Sequence, residues 1–131
     1  MVIEANQAQN AARIFWMTHR EVHVLHVSSK IVIDASADAI WQVISDFGMA
    51  GAYLPGVVAC TVAGEGIGAR RTLTSADGSM VVERLAALDA IALRLSYALL
   101  TDTPFADCLT TVALRDLGPH ITELTWAVSF Q

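Results

Sequence analysis

The chain is short of charge. Only 16% of its 131 residues are Asp, Glu, Lys or Arg, and 8 basic residues against 13 acidic ones leave a formal charge of −5 at pH 7. Neutralising nucleic-acid phosphates takes clustered Lys and Arg, so this balance argues against a nucleic-acid partner. Cysteine is nearly absent as well: Cys60 and Cys108 stand far apart with no C-x-x-C spacing, and two such thiols read as reduced residues of a cytoplasmic domain. No run of 18 uncharged apolar residues is present to span a bilayer. The N-terminus "MVIEANQAQNAARIFWM" lacks a basic n-region and has Arg13 where a signal peptide needs an apolar block, which predicts a cytoplasmic protein. The glycine-rich stretch matches neither the P-loop nor the dinucleotide fingerprint, and no Ser-His-Asp or Cys-His arrangement can be assembled, so no cofactor and no nucleophilic catalyst is implied.

Apolar residues, by contrast, are abundant at 54%. A chain of this length forms one domain and buries roughly two-thirds of its unfolded surface. The apolar excess suggests that part of it lines a cavity or an interface. Residues 4–20 read as an amphipathic helix, with Ala5, Ala8, Ala12 and Phe15 at three- and four-residue steps. A strand follows from Val22 to Ile33. Ser36 then caps a helix carrying Ile40, Trp41, Val43, Ile44 and Phe47, and the glycines at 48, 51 and 56 with Pro55 leave room for a short second helix at most. Strands are expected at Val57–Ala63, Ala69–Ser75, Ser79–Leu88, Ile91–Thr101, Asp107–Leu114 and Ile121–Phe130. The stretch "LAALDAIALRLSYALL" suits a helix by propensity, but Leu93, Leu95, Tyr97 and Leu99 alternate with Ala92, Arg94, Ser96 and Ala98, which favours a strand. One strand, a helical pair and six consecutive strands make an α+β pattern.

The segment "GEGIGARRTLTSADGSMVVERL" is where chemistry gathers. The residues after its glycines are β-branched and alternating, not helical, so the glycines mark a bend before a hairpin. A two-residue turn at Asp77-Gly78 would set Arg71 against Arg84, a repulsive pairing. A three-residue loop, Ala76-Asp77-Gly78 with Gly78 left-handed, sets Arg71 against Glu83 instead. That register groups Arg71, Leu73, Val81, Glu83 and Leu85 on one face, so a mostly apolar face carries an Arg and a Glu. The pair fits a structural ion pair within the sheet. Less directly, it fits a cavity wall that orients a ligand, with the Tyr97 phenol nearby and Tyr53 and Trp126 as aromatic lining. Glu83 would be a general base only with a raised pKa and a substrate in reach. His19, His23 and His26 would share a face on one helix, but a strand sends His23 and His26 to opposite faces, so no metal site is expected. His120 falls in the "DLGPH" turn.

Six landmarks in order, "VSSKIVIDASADAIWQVISDF", "YLPGV", "GEGIGARRTLTSADG", "VVERLAALD", "LSYALL" and "ITELTWAVSF", resemble the SRPBCC superfamily. These are helix-grip proteins that include polyketide cyclase/dehydrase-like, START-type and birch-pollen-allergen-like members. The resemblance implies a curved seven-stranded antiparallel sheet around an apolar cavity, and Arg71, Glu83 and Tyr97 match residues that recur in this subgroup. It implies binding or carriage of a small hydrophobic molecule such as a lipid, polyketide or aromatic metabolite, or alternatively a cyclase, aromatase or dehydratase using Glu83 as acid/base. Family members continue into a long C-terminal helix, whereas this sequence stops one residue after Phe130. The expected organisation is therefore a helical extension, residues 1–21, and a helix-grip domain, residues 22–131, lacking that helix. The N-terminal helix would then cover Leu93, Leu95, Leu99, Leu124, Trp126 and Val128, within one subunit or exchanged across a homodimer.

Overall fold

The computed structural model describes residues 25–101 and 108–130. Strand β1 (Leu25–Ile33) leads into helix α1 (Ala37–Ile44) and a 3₁₀ segment, Phe47–Ala52. Six strands follow: β2 (Val57–Ala63), β3 (Arg70–Ser75), β4 (Met80–Asp89), β5 (Arg94–Leu99), β6 (Leu109–Gly118) and β7 (Ile121–Phe130). They form one curved antiparallel sheet in the order β1-β7-β6-β5-β4-β3-β2, so β1 closes onto the last strand and every other neighbour is sequential.

Helix α1 forms where capping and periodicity agree. The Ser36 hydroxyl accepts from the Ala39 amide at 3.1 Å, Asp38 lies in the first turn where the helix dipole favours an anion, and Ala37, Ile40, Trp41 and Ile44 bury one stripe. The helix stops at Ser45 because Asp46 starts a new cap, its carboxylate accepting from Gly48 N at 3.1 Å. Phe47, Ala50 and Tyr53 from this second segment join the α1 stripe in a single core with Leu73, Leu85, Leu95, Tyr97, Leu124, Trp126 and Val128 of the sheet. Thr122 Oγ1 donates to Ala35 O at 2.8 Å, fixing the strand-to-helix connection over the start of β7.

The hairpin register is the predicted one. Arg71 pairs with Glu83, and the loop is closed by Ser75 N to Ser79 O and Gly78 N to Ser75 O, with Gly78 at φ 86°. The bend before β3 also behaves as expected: Gly64, Gly66 and Gly68 all have positive φ, and a strand follows them.

Among the described residues, two strand boundaries differ from the sequence expectation by three residues or more. The fifth strand begins at Arg94 rather than Ile91, because the Asp89 carboxylate accepts from Ile91 N and Ala92 N and the chain turns through Leu93 at φ 56°. The sixth runs to Gly118 rather than ending at Leu114, since Arg115 and Asp116 still pair with Glu123 and Thr122. Of the face expected to need a cover, Leu95, Leu124, Trp126 and Val128 are buried. The helix assigned to cover it, residues 4–20, lies outside the described residues, as does the 1–21 division.

Candidate functional site: a buried arginine–glutamate pair beside a small cavity

Strand pairing places Arg71 of β3 and Glu83 of β4 side by side on the face packed against α1 and the 3₁₀ segment, and both are almost fully buried, at 1% and 4% exposure. Arg71 Nε donates to Glu83 Oε1 at 2.8 Å. The 3₁₀ segment supplies the remaining contacts: Nη1 donates to the Phe47 carbonyl and to the Tyr53 hydroxyl, each at 3.3 Å. The guanidinium lies against two rings, 4.2 Å from the Phe47 centroid and 4.7 Å from that of Tyr97. Such stacking contributes about 2 kcal/mol when desolvated. Tyr97 in turn meets Trp126 edge-on at 5.9 Å. Among the described residues, two buried nitrogens, Arg71 Nη2 and Trp126 Nε1, have no partner.

The electrostatics follow from burial. Loss of water pushes the Glu83 pKa above its ordinary value although the charge and hydrogen bond of Arg71 pull it back. Burial acts on Arg71 in the sense that favours deprotonation, but the facing Glu83 charge and the two phenols outweigh it, and the guanidinium stays cationic. Burial raises Tyr53, against the pull of Arg71, and raises Tyr97 further, helped by Glu83. Burial and then Glu83 push the Cys108 thiol up to about 11, which removes it as a nucleophile near neutral pH. The titratable member of the cluster is therefore Glu83.

A cavity of about 110 Å³ lies along this cluster. It is lined by the apolar Leu54, Pro55, Val57, Leu73 and Val81, by the aromatic Tyr97 and Trp126, and by Ser75 and Glu83. Of the five residues singled out from sequence, Glu83, Tyr97 and Trp126 thus reach the cavity. Arg71 and Tyr53 are not among its lining residues; Arg71 bonds Glu83, and Tyr53 bonds Arg71. Phe47 was legible only as an apolar position in a helical repeat, and nothing local in sequence marks it as the ring over an arginine 24 positions away. A second hollow of about 290 Å³ sits between the 3₁₀ segment and the glycine bend, with Phe47 and Leu85 in its wall.

His26 and His120 are exposed, on β1 and in the β6–β7 turn, while His19 and His23 lie outside the described residues. Among the described residues no three His, Cys, Asp or Glu side chains gather as a metal would need, and no helix is long and apolar enough to cross a membrane. Cys60 and Cys108 are free thiols.

A capped helix and 3₁₀ segment held against a curved antiparallel sheet, with a cavity between, define a helix-grip protein. Residues 24–131 match the model of the family described as polyketide cyclase / dehydrase and lipid transport, and the chain belongs to that family. The fold is similar to that of XoxI from Bacillus cereus, at 21% identity over 81% of this chain and 75% of that one (TM-score 0.73). It is also similar to the Zhui aromatase/cyclase from Streptomyces sp. R1128, at 23% identity over 83% and 68% (TM-score 0.68). Norcoclaurine synthase from Thalictrum flavum, solved with dopamine and hydroxybenzaldehyde, shares 18% identity over 82% and 69% (TM-score 0.69). No functionally curated protein matches the chain.

Proposed function

We propose that the protein binds a small, largely apolar molecule in the cavity beside the Arg71–Glu83 pair, as a carrier. The observation that carries this reading is the composition of the lining: Leu54, Pro55, Val57, Leu73, Val81 and the Tyr97 and Trp126 rings together with two polar residues, Ser75 and Glu83. Mostly apolar walls with a few fixed polar groups are what small-molecule sites require. Membership of a family described by polyketide cyclisation, dehydration and lipid transport supports it.

A second reading, cyclase or dehydratase chemistry, is favoured by one observation: Glu83 lines the cavity and burial raises its pKa, which brings a carboxylate closer to the range of a useful general base. Glu83 would take a proton from a carbon flanked by carbonyls, the carbanion would attack a second carbonyl of the same chain, and the proton would return to the alkoxide before water leaves. Arg71, Tyr53 and Phe47 are positioning residues in either case.

Native mass spectrometry of protein purified from its own host tests the first reading, with an apolar molecule released on denaturation as the expected result. A bare protein that also gains no thermal stability from a panel of small apolar compounds would refute it. Glu83→Gln separates the two readings, because turnover on a poly-β-carbonyl chain disappears in an enzyme while a carrier's affinity changes only modestly.

A further inference from the structure

This inference rests on the ligand-binding reading and concerns what the ligand must offer. Trp126 is 2% exposed, lines the 110 Å³ cavity and is held in place by its edge-on contact with Tyr97. Its Nε1–H has no hydrogen-bond partner among the described residues. An indole N–H can only donate, and a buried donor without an acceptor loses its hydration for nothing in return. The side chain that carries this donor is one of those lining the cavity. An acceptor is what this position lacks.

The surrounding charge decides which acceptor. Glu83 and Arg71 balance each other at 2.8 Å, Arg71 Nη1 is spent on Phe47 and Tyr53, and Arg71, whose Nη2 also lacks a partner among the described residues, is not one of the residues lining the cavity. A carboxylate ligand would sit beside the Glu83 carboxylate in a poorly solvated place, where like charges repel strongly. An ammonium ligand would bring donors to a donor, next to a fixed cation. An uncharged oxygen acceptor meets neither objection. The apolar wall of Leu54, Pro55, Val57, Leu73 and Val81 takes the rest of the molecule, and a volume below the roughly 150 Å³ of a cavity known to admit benzene limits the enclosed part to about one small ring. We infer that Trp126 is a specificity-determining residue whose Nε1–H donates to the carbonyl-type oxygen of an uncharged, compact apolar ligand group.

Four probes of nearly equal size test this on the full ¹⁵N-labelled chain: cyclopentanone, methylenecyclopentane, cyclobutanecarboxylate and cyclopentylamine. The readouts in NMR titrations are the backbone amide signals of the cavity-lining residues, which report binding in wild type and variant alike, and the Trp126 indole signal, assigned by its loss in Trp126→Phe. The ketone is expected to bind about 5- to 10-fold more tightly than the hydrocarbon, the increment of one net hydrogen bond, and to move the indole proton downfield. In Trp126→Phe that preference should vanish while the hydrocarbon still binds, which also shows that the variant is folded around its cavity. Equal binding of ketone and hydrocarbon in the wild type, a ketone preference that survives Trp126→Phe, or tighter binding of the acid or amine would overturn the assignment and leave the ligand-binding reading standing. Failure of all four probes to shift any signal from the cavity wall at tens of millimolar would overturn both.

Discussion

Replacing Arg71 with Met is the most direct perturbation of the cluster. Methionine keeps the length and much of the apolar contact with the Phe47 and Tyr97 rings, so the change isolates the charge. It leaves Glu83, 4% exposed, without its only ionic partner among the described residues. Removing one member of a buried pair costs about 3–5 kcal/mol, a third or more of the stability of a domain near the lower half of the usual range of about 5–15 kcal/mol. At about 4 °C per kcal/mol for a domain of this size, the melting temperature should fall by roughly 12–20 °C. Urea unfolding followed by tryptophan fluorescence measures the loss. The deficit should shrink between pH 8 and pH 5, because the stranded carboxyl can take up a proton. Adding Glu83→Gln should recover most of the loss, giving a coupling of at least about 2 kcal/mol in the double-mutant cycle. A loss below about 1 kcal/mol, or a double variant as unstable as the sum of the two singles, would refute the account of the pair as a mutually dependent buried unit.

Three further outcomes are expected. Because burial raises the folded-state pKa of Glu83 above its ordinary 4.5, its contribution to stability is fully present below that value and is lost as pH rises through the folded pKa. The stability of wild type relative to Glu83→Gln, from urea curves at a series of pH values, should therefore be highest in acid and fall toward neutrality; a difference that grows with pH would contradict this. Gly78→Ala should destabilise by about 1–2 kcal/mol, from the left-handed backbone alone, since φ is 86° and a Cβ there meets nothing within 4 Å; an unchanged denaturation midpoint would mean that the loop relaxes freely. Deleting residues 1–16 should lower stability and raise dye binding to apolar surface if residues 4–20 pack on the sheet as the sequence predicts, whereas an equally stable protein of unchanged oligomeric state would show that they cover nothing.

Much of the architecture was legible because local rules and the global pattern agree. The Ser36 cap, the Ile40–Trp41–Ile44 stripe and the alternation of β3, β4 and β7 each specify one answer. The Arg71–Glu83 register was legible for a different reason: the competing turn would have set Arg71 opposite Arg84, so electrostatics selected between two hairpins of similar local quality. Where the reading failed, the deciding contact was a side-chain bond or a long-range pairing. The Asp89 carboxylate holds the chain in a turn and delays the start of β5, and β6 is prolonged by a partner strand that the Asp107–Leu114 pattern does not contain. In the site, alternation puts Glu83, Tyr97 and Trp126 on one face, but whether a side chain there lines the hollow or stands behind it depends on the 3₁₀ segment. That segment brings Phe47 and Tyr53 onto Arg71, and no spacing in the sequence encodes the approach.

The position of β2 at the end of the sheet has a consequence for behaviour at high concentration. Its sequence "VVACTVA" is β-prone and contains no charge and no proline, and only Val57 and Cys60 are less than exposed. Among the described residues its outer backbone row has no strand partner. Such an edge is a template for another chain, and short uncharged segments of this kind are the ones that stack into fibrils. Gly56 and Gly64, both at positive φ, break the extended backbone at the two ends, and a bulge between Val57 and Ala59 interrupts its regularity. These features limit the adhesive length to a few residues without neutralising it. The 3₁₀ segment that packs against β2 also carries Phe47, whose carbonyl and ring meet Arg71, so the buried pair is one contact away from a neighbour of the adhesive strand.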